Sequence, residues 1–201
     1  ACGTFLLLED GMPLRPVGFC NVNELFEINT GQARSMEVVR GPGTALYGAN
    51  AVHAIVNVIG PDVASAGPAT LSIEGGADAF RRLQFGIATG DAALGYGAWG
   101  SYAHDGGFRA DSPVADGKLN LLHERAWSGG QLRLRLAGTV LNQETAGFVR
   151  GLDAYRDPRL ARSNPNPEAF RDAWSTRASA AWSRQDGCER CTTDLRLMVR
   201  R

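Results

Sequence analysis

Three groups of residues in this chain have types and spacings that could do chemistry. The run Arg40-Gly41-Pro42-Gly43 to Gly48 could cradle a phosphate, Cys188-Glu189-Arg190-Cys191 could hold a metal or act as a redox pair, and His53, His104 and His123 could carry protons. A phosphate loop needs a Gly-Lys-Ser/Thr after its glycines. Here the nearest cation, Arg40, comes before the turn. A single C-x-x-C is half a zinc site, and neither a second pair nor a histidine pair accompanies it. A thioredoxin-like role needs a helix after the first cysteine, and the residues after Cys191 have strand character. A turn disulfide or idle thiols remain as readings of these cysteines. The histidines lie in different contexts, and no Ser/His/Asp set accompanies them. No metal, no cofactor and no enzymatic activity are therefore expected.

The elements that hold these residues are mostly strands. The chain has 201 residues, 44% of them hydrophobic, which suffices for a core. Acidic and basic residues balance at 21 each, so no nucleic-acid partner is implied. No run of about 18 apolar residues occurs, so no transmembrane helix is expected. No signal peptide is visible, and both ends read as strands, as in a piece cut from a longer protein.

Phe5-Leu6-Leu7-Leu8 reads as a strand that stops at Glu9-Asp10-Gly11. Met12 to Gly31 is irregular, with one or two helical turns around Asn23–Ile28. Arg34–Arg40 and Ala54–Ile59 are two further strands. Between them Gly41-Pro42-Gly43 turns sharply. Pro42 sets φ near −65° and Gly43 is expected at φ > 0, as in a type II turn. Thr44 can cap the short turn Ala45-Leu46-Tyr47, and Gly48 can end it.

From Thr70 onward the pattern is alternation. Leu71 and Ile73 share a face, as do Leu83, Phe85 and Ile87. Leu94, Tyr96, Ala98, Gly100 and Tyr102 lie opposite Gly95, Gly97, Trp99 and Ser101. Leu132, Leu134, Leu136 and Val140 lie opposite Arg133 and Arg135, and Leu195, Leu197 and Val199 opposite Asp194 and Arg196. Trp174, Thr176, Ala178, Ala180 and Trp182 share a face against Arg177, Ser179 and Ser183. The two tryptophans are roughly 26 Å apart along the strand, or about 19 Å across a membrane at a 45° tilt, which suits a girdle at each interface. In the Lys118–Trp127 strand, His123 and Arg125 share the face of Leu119 and Leu121. This places them near the inner interface, or else at a bulge. Connections alternate between tight (Gly90-Asp91, Ser128-Gly129-Gly130, Arg184–Cys191) and long (His104–Asp116, Gln143–Arg171), the habit of outer-membrane barrels, and only the first loop, near Gly75–Phe80, breaks the pattern by being short. About seven such strands, or eight if the long loop hides one, cannot close a barrel around a plug, and an open edge in lipid is forbidden.

The run Glu37-Val38-Val39-Arg40-Gly41-Pro42-Gly43-Thr44-Ala45-Leu46-Tyr47-Gly48-Ala49-Asn50-Ala51, with Asn57, resembles the C-terminal half of the plug of TonB-dependent outer-membrane receptors. Leu8-Glu9-Asp10-Gly11-Met12-Pro13 resembles an earlier strand end of the same plug. His53 and Ala54 stand where that family most often has two glycines, and Glu9 and Cys20 are also unusual. The resemblance implies a mainly β chain with a small α+β plug remnant and a partial antiparallel transmembrane β-barrel. Residues 1–62 would be the C-terminal part of the plug domain and 63–201 the first barrel strands. It further implies uptake of a scarce ligand, most often an iron-siderophore, driven by TonB and its inner-membrane complex, at the outer membrane of a Gram-negative bacterium. Outer-membrane lipid is then a further partner. Arg15–Asn23 corresponds to a plug loop facing outside, so Phe19, Asn21 and Asn23, with His104 at the start of an external loop, are candidate ligand contacts. Glu37, Arg40, Gly41, Pro42, Gly43, Tyr47, Gly48 and Asn57 form a structural motif; Glu37 and Arg40 are read as structural or solvated charges, with plug–barrel ion pairs the alternative ahead of substrate contact. A passive porin-like barrel and a soluble β-rich binding domain are the alternatives.

Overall fold

The structure is a computed structural model, and it describes residues 5–14, 24–43, 47, 51–64, 67, 69–91, 93–186 and 191–201. Two sheets account for its strands: a four-stranded sheet near the N-terminus and a seven-stranded antiparallel sheet after it.

The small sheet has the order β2-β1-β4-β3, with β1 Phe5–Glu9, β2 Met12–Pro13, β3 Ser35–Arg40 and β4 Ala54–Ile59. Central β1 runs parallel to β4 and antiparallel to β2. A strand covered on both faces needs a continuous apolar run rather than alternation, and Leu6-Leu7-Leu8 supplies it. Leu6 and Leu8 pack with Ala51 and Ile55 on one face, while Leu7 packs with Leu14, Ile28 and Val58 on the other. The β1–β2 hairpin closes through Asp10 and Gly11, both at positive φ (50° and 77°), the backbone of a tight two-residue turn. The residues before β3 form two 3-10 turns, Glu24–Glu27 and Thr30–Gln32, in place of α-helix.

The Gly41-Pro42-Gly43 turn differs from the type II expectation. Gly41 is the residue at positive φ (106°), and Gly43 is not among the positive-φ glycines. The reason is pairing: the Gly41 and Gly43 amides donate to the His53 and Ala51 carbonyls, so the backbone keeps following its partner after Arg40. Gly43 is needed for space, because a Cβ there would sit 2.2 Å from Ile55 Cδ1. Thr44 and Gly48, with their capping roles, lie outside the described residues.

The large sheet is a meander, β5 through β11 in chain order. Its strands are β5 Ala69–Gly75, β6 Arg81–Gly90, β7 Leu94–Asp105, β8 Val114–Trp127, β9 Gly130–Glu144, β10 Phe170–Asp186 and β11 Cys191–Arg200. All seven expected strands are present and no eighth lies in the long loop. Several run further than expected: β7 continues through His104 and Asp105, and β10 extends well past both tryptophans. An alternating pattern marks only the apolar band, whereas the hydrogen-bond ladder continues into the polar rim. The β8 ladder is unbroken on both sides, so there is no bulge at His123 and Arg125. Arg125 pairs with Leu94, one residue from the tight turn, at the end the sequence suggested.

One face of this wall carries Leu71, Ile73, Phe85, Tyr96, Tyr102, Leu121, Leu136, Val140, Trp174 and Val199, all exposed. The other carries Trp99, Asn120, Leu122, Arg135, Thr139, Ser175 and Arg177, all buried, with Trp99 and Leu122 packed on Val63 and Ala88. Within β10 the contrast is between Trp174 at 58% exposed and Arg177 at 2%. Aromatics sit at both ends of the exposed band, Tyr96, Trp127 and Trp182 toward the tight turns and Tyr102 and Trp174 toward the long loops.

Candidate functional site

The small sheet docks on the inner face of the wall through charge. Glu27, at the end of the first 3-10 turn, is completely buried as a side chain and meets two guanidiniums. Arg200 donates to both its oxygens, at 2.6 and 2.9 Å. Arg177 Nη1 lies 3.6 Å away, and the Ser175 hydroxyl donates to Oε2 at 3.1 Å. Arg177 also donates to Glu9 Oε2 from Nε and Nη2, at 3.2 and 3.1 Å. Among the described residues two carboxylates thus face two guanidiniums in a buried cluster that links the small sheet and its first 3-10 turn to the wall. Taking such groups out of water costs several kcal/mol per ion, so the cluster contributes register more than net stability.

A second pair lies beside it. Arg135 Nη2 is 2.9 Å from Asp10 Oδ2, and the same carboxylate accepts the Gly60 amide through Oδ1 at 2.9 Å. Arg196 donates to the Asp10 carbonyl at 3.1 Å. Gly60 is required here because a Cβ would fall 2.1 Å from Arg135 Nη1. Further along, the Val63 amide donates to Glu124, which also holds Arg133, and Lys118 donates to the Ile28 carbonyl. Of the arginines opposite the apolar rows, Arg135 and Arg177 are paired with Asp10, Glu9 and Glu27, while Arg133 is held by Glu124 within the wall.

Beside the Asp10 pair lies a polar cavity of about 130 Å³, lined by Asp10, Gln131, Arg133, Ser179, Asp194 and Arg196 among others. It is a gap between the docked surfaces, too small for a ligand of the usual 300–1,000 Å³ class.

At the opposite end the loops brace one another. Arg109, between β7 and β8, donates to the carbonyls of Ser163 and Gly147 in the 145–169 loop. Arg162 stacks over the Phe108 ring at 4.5 Å and lies 3.9 Å from Asp78. A short helix, Pro158–Arg162, sits in this loop, capped by the Asp157 side chain. Phe148, Leu152 and Tyr155 project from the loop almost unshielded.

The expected site residues divide into several groups. Phe19, Asn21 and Asn23 lie outside the described residues. His104 is within β7 and has the outward parity of Tyr96 and Tyr102, so it is in the strand rather than in a loop. Glu37 is on exposed β3 and accepts from Asn57 Nδ2 at 3.0 Å, and Asn57 Oδ1 accepts the Gly11 amide at 2.9 Å. Asn57 thus ties β3 to the β1–β2 turn. Among the described residues neither Glu37 nor Arg40 forms an ion pair with the wall. The reason is position: β3 is an edge strand exposed along its whole length, whereas the ends of β1 and of the first 3-10 turn carry the acids that meet the wall. Tyr47 hydrogen-bonds back to Gly43. The groups that do make the junction, Glu9, Asp10, Glu27, Arg135, Arg177 and Arg200, were not singled out as plug–barrel contacts. An acid ending an apolar strand, as at Glu9, was the signal available. Cys191 is disulfide-bonded; its partner lies outside the described residues. Among the described residues no cluster of His, Cys, Asp and Glu could hold a metal.

Residues 3–55 match the family described as TonB-dependent Receptor Plug Domain. No curated protein sequence matches the chain. Among solved structures, the siderophore receptor PiuA from Acinetobacter baumannii superposes with a TM-score of 0.76 at 13% identity, covering 97% of this chain and 28% of that one. Pseudomonas aeruginosa FpvA, bound to heterologous pyoverdines, gives 0.71 at 13% identity over 90% of this chain and 26% of its own. The ferric-catecholate import receptor Fiu from E. coli K12 gives 0.70 at 13% identity over 99% and 31%. The chain thus spans about a third or less of these structures, and at such identities they share its fold. Residues 3–55 thus match the plug-domain family, and the chain as a whole shares the fold of these receptor structures, a small four-stranded sheet seated against a seven-stranded antiparallel wall.

Proposed function

We propose that this chain belongs to an energy-coupled transporter in the outer membrane of a Gram-negative bacterium, which takes up a scarce ligand, an iron-siderophore by preference. The observation that carries the reading is the junction itself. A small sheet is held by buried ion pairs against the inner face of a wall whose outer face is an apolar band between aromatic rims. A porin has no such inner sheet. A soluble domain has no use for exposed rows of Leu, Val, Trp and Tyr over several strands.

In this reading residues 1–62 belong to the plug and 63–201 to the barrel. The long-loop end faces outside, the tight-turn end faces the periplasm, and TonB acts on the plug from there. The siderophore preference is supported by the likeness in fold to PiuA, a siderophore receptor, FpvA, bound to pyoverdines, and Fiu, a ferric-catecholate import receptor. Phe19, Asn21 and Asn23 stay as candidate ligand contacts, while His104 has the parity of the lipid-facing wall and is the weaker candidate. No catalytic role is assigned. The test is uptake of radiolabelled ferric siderophores by cells expressing the receptor, with and without TonB. Accumulation that requires both supports the reading; uptake unaffected by loss of TonB contradicts it.

A further inference from the structure

The outer face of the wall carries an apolar groove of about 700 Å³, running along β8 to β11 toward the tight-turn end. Its floor is Ala178 and Ala180 of β10, set between Leu134 and Leu136 of β9 and Leu197 and Val199 of β11. His123 closes one side, with its ring 4.8 Å from that of Tyr96. The His123 Nδ1 has no hydrogen-bond partner. Two residues on, with the same strand parity, Arg125 is flanked by Leu94 and Leu132; it lies beyond the groove, lining the neighbouring polar pocket with Asp91 and Glu124, and among the described residues it forms no ion pair. The intervening Glu124 points inward and is engaged with Arg133 and the Val63 amide. A cation and an imidazole at the edge of a lipid-facing band are costly without a partner. Among the described residues the His123 Nδ1 and the Arg125 guanidinium have no hydrogen-bond or ion-pair partner.

We propose that this groove is a site for an anionic phospholipid of the inner leaflet. One acyl chain would lie over Ala178 and Ala180, and the phosphate would meet Arg125 and His123. Charge complementarity and the tight-turn end fix the occupant, since phosphates lie at that interface and acyl chains point away from it, as the groove does. The inference rests on the membrane-wall reading given above.

The test uses the intact receptor extracted from outer membranes in mild detergent, with equal amounts of phosphatidylglycerol or phosphatidylcholine added, and native mass spectrometry to count bound lipid. The expected result is a one-lipid adduct favouring phosphatidylglycerol by about fivefold, the size of effect of one basic residue near an anionic surface. The preference should vanish in Arg125→Gln/His123→Gln and survive in Arg125→Lys. Both positions face lipid, and an unchanged heat-modifiable band on gels checks that the variants remain folded. Equal adducts of the two lipids, or a preference that survives the double glutamine variant, would overturn the site while leaving the wall in the membrane. Recovery of the receptor in the aqueous fraction without detergent would overturn the membrane reading and the site with it.

Discussion

Removing the Glu27 carboxylate should loosen the plug from the wall more than any other single change on the plug side. Glu27 is fully buried and holds Arg200 with two hydrogen bonds, Arg177 at 3.6 Å and the Ser175 hydroxyl at 3.1 Å. Deleting one partner of a buried ion pair costs about 3–5 kcal/mol, because the other charge is left without compensation. Two features place Glu27→Ala at the low end. Arg177 keeps Glu9, and Arg200, 24% exposed as a side chain, can turn toward water. The estimate is therefore about 3 kcal/mol, with about 1–2 kcal/mol for Glu27→Gln, which keeps the volume and one acceptor. The assay is hydrogen exchange of the plug strands 5–9 and 54–59 in the reconstituted receptor. Local opening easier by about 3 kcal/mol speeds exchange roughly a hundredfold in Glu27→Ala and about tenfold in Glu27→Gln. Arg200→Ala on the Glu27→Ala background should add little, since the two share one interaction. Unchanged protection in Glu27→Ala, or equal acceleration by the Ala and Gln variants, would refute the reasoning that a buried charge balance holds the junction.

Three further outcomes follow from local geometry. Gly60→Ala places a methyl 2.1 Å from the Arg135 guanidinium and should break the Asp10 pair, with a loss of about 1–3 kcal/mol measured by denaturation of the reconstituted receptor. Arg109→Ala removes the donors that hold Ser163 and Gly147, so limited proteolysis should cut the 145–169 loop sooner while the strands stay protected. Asp91 accepts the Leu94 and Ala93 amides, which lower its pKa below the ordinary 3.8. Its support of the β6–β7 turn is therefore present above that value and is lost as pH falls through the lowered one, and exchange at Ala93 and Leu94 should rise only in strong acid. Asp91→Asn should remove that pH dependence.

The wall was legible because a sheet with two unlike faces imposes alternation, and rows such as Leu132-Leu134-Leu136 against Arg133-Arg135 record both faces. The motif after Arg40 was legible as a turn between two strands. Its detailed geometry was not, since the positive φ falls at Gly41 while Gly43 answers to Ile55, a contact 12 residues along the chain that only the fold creates. The junction was hidden for the same reason. Glu27 and Arg200 are 173 positions apart. Nothing local at Glu27 distinguishes a buried acid from a solvated one. Glu37 and Arg40 looked the better candidates because they sit in the recognisable motif, yet β3 is an edge strand exposed along its whole length.

The claim that matters most is that this wall separates lipid from a plug, and spin labels along β10 test it directly. Single labels at residues 173 to 180, in receptor reconstituted into vesicles, are compared for relaxation by oxygen, which concentrates in lipid, and by a polar nickel chelate, which does not. Labels at Trp174, Thr176, Ala178 and Ala180 should be relaxed by oxygen, and labels at Ala173, Ser175, Arg177 and Ser179 should be shielded from it, with a period of two residues. Equal access of the nickel chelate to both sets, or no alternation at all, would contradict the account.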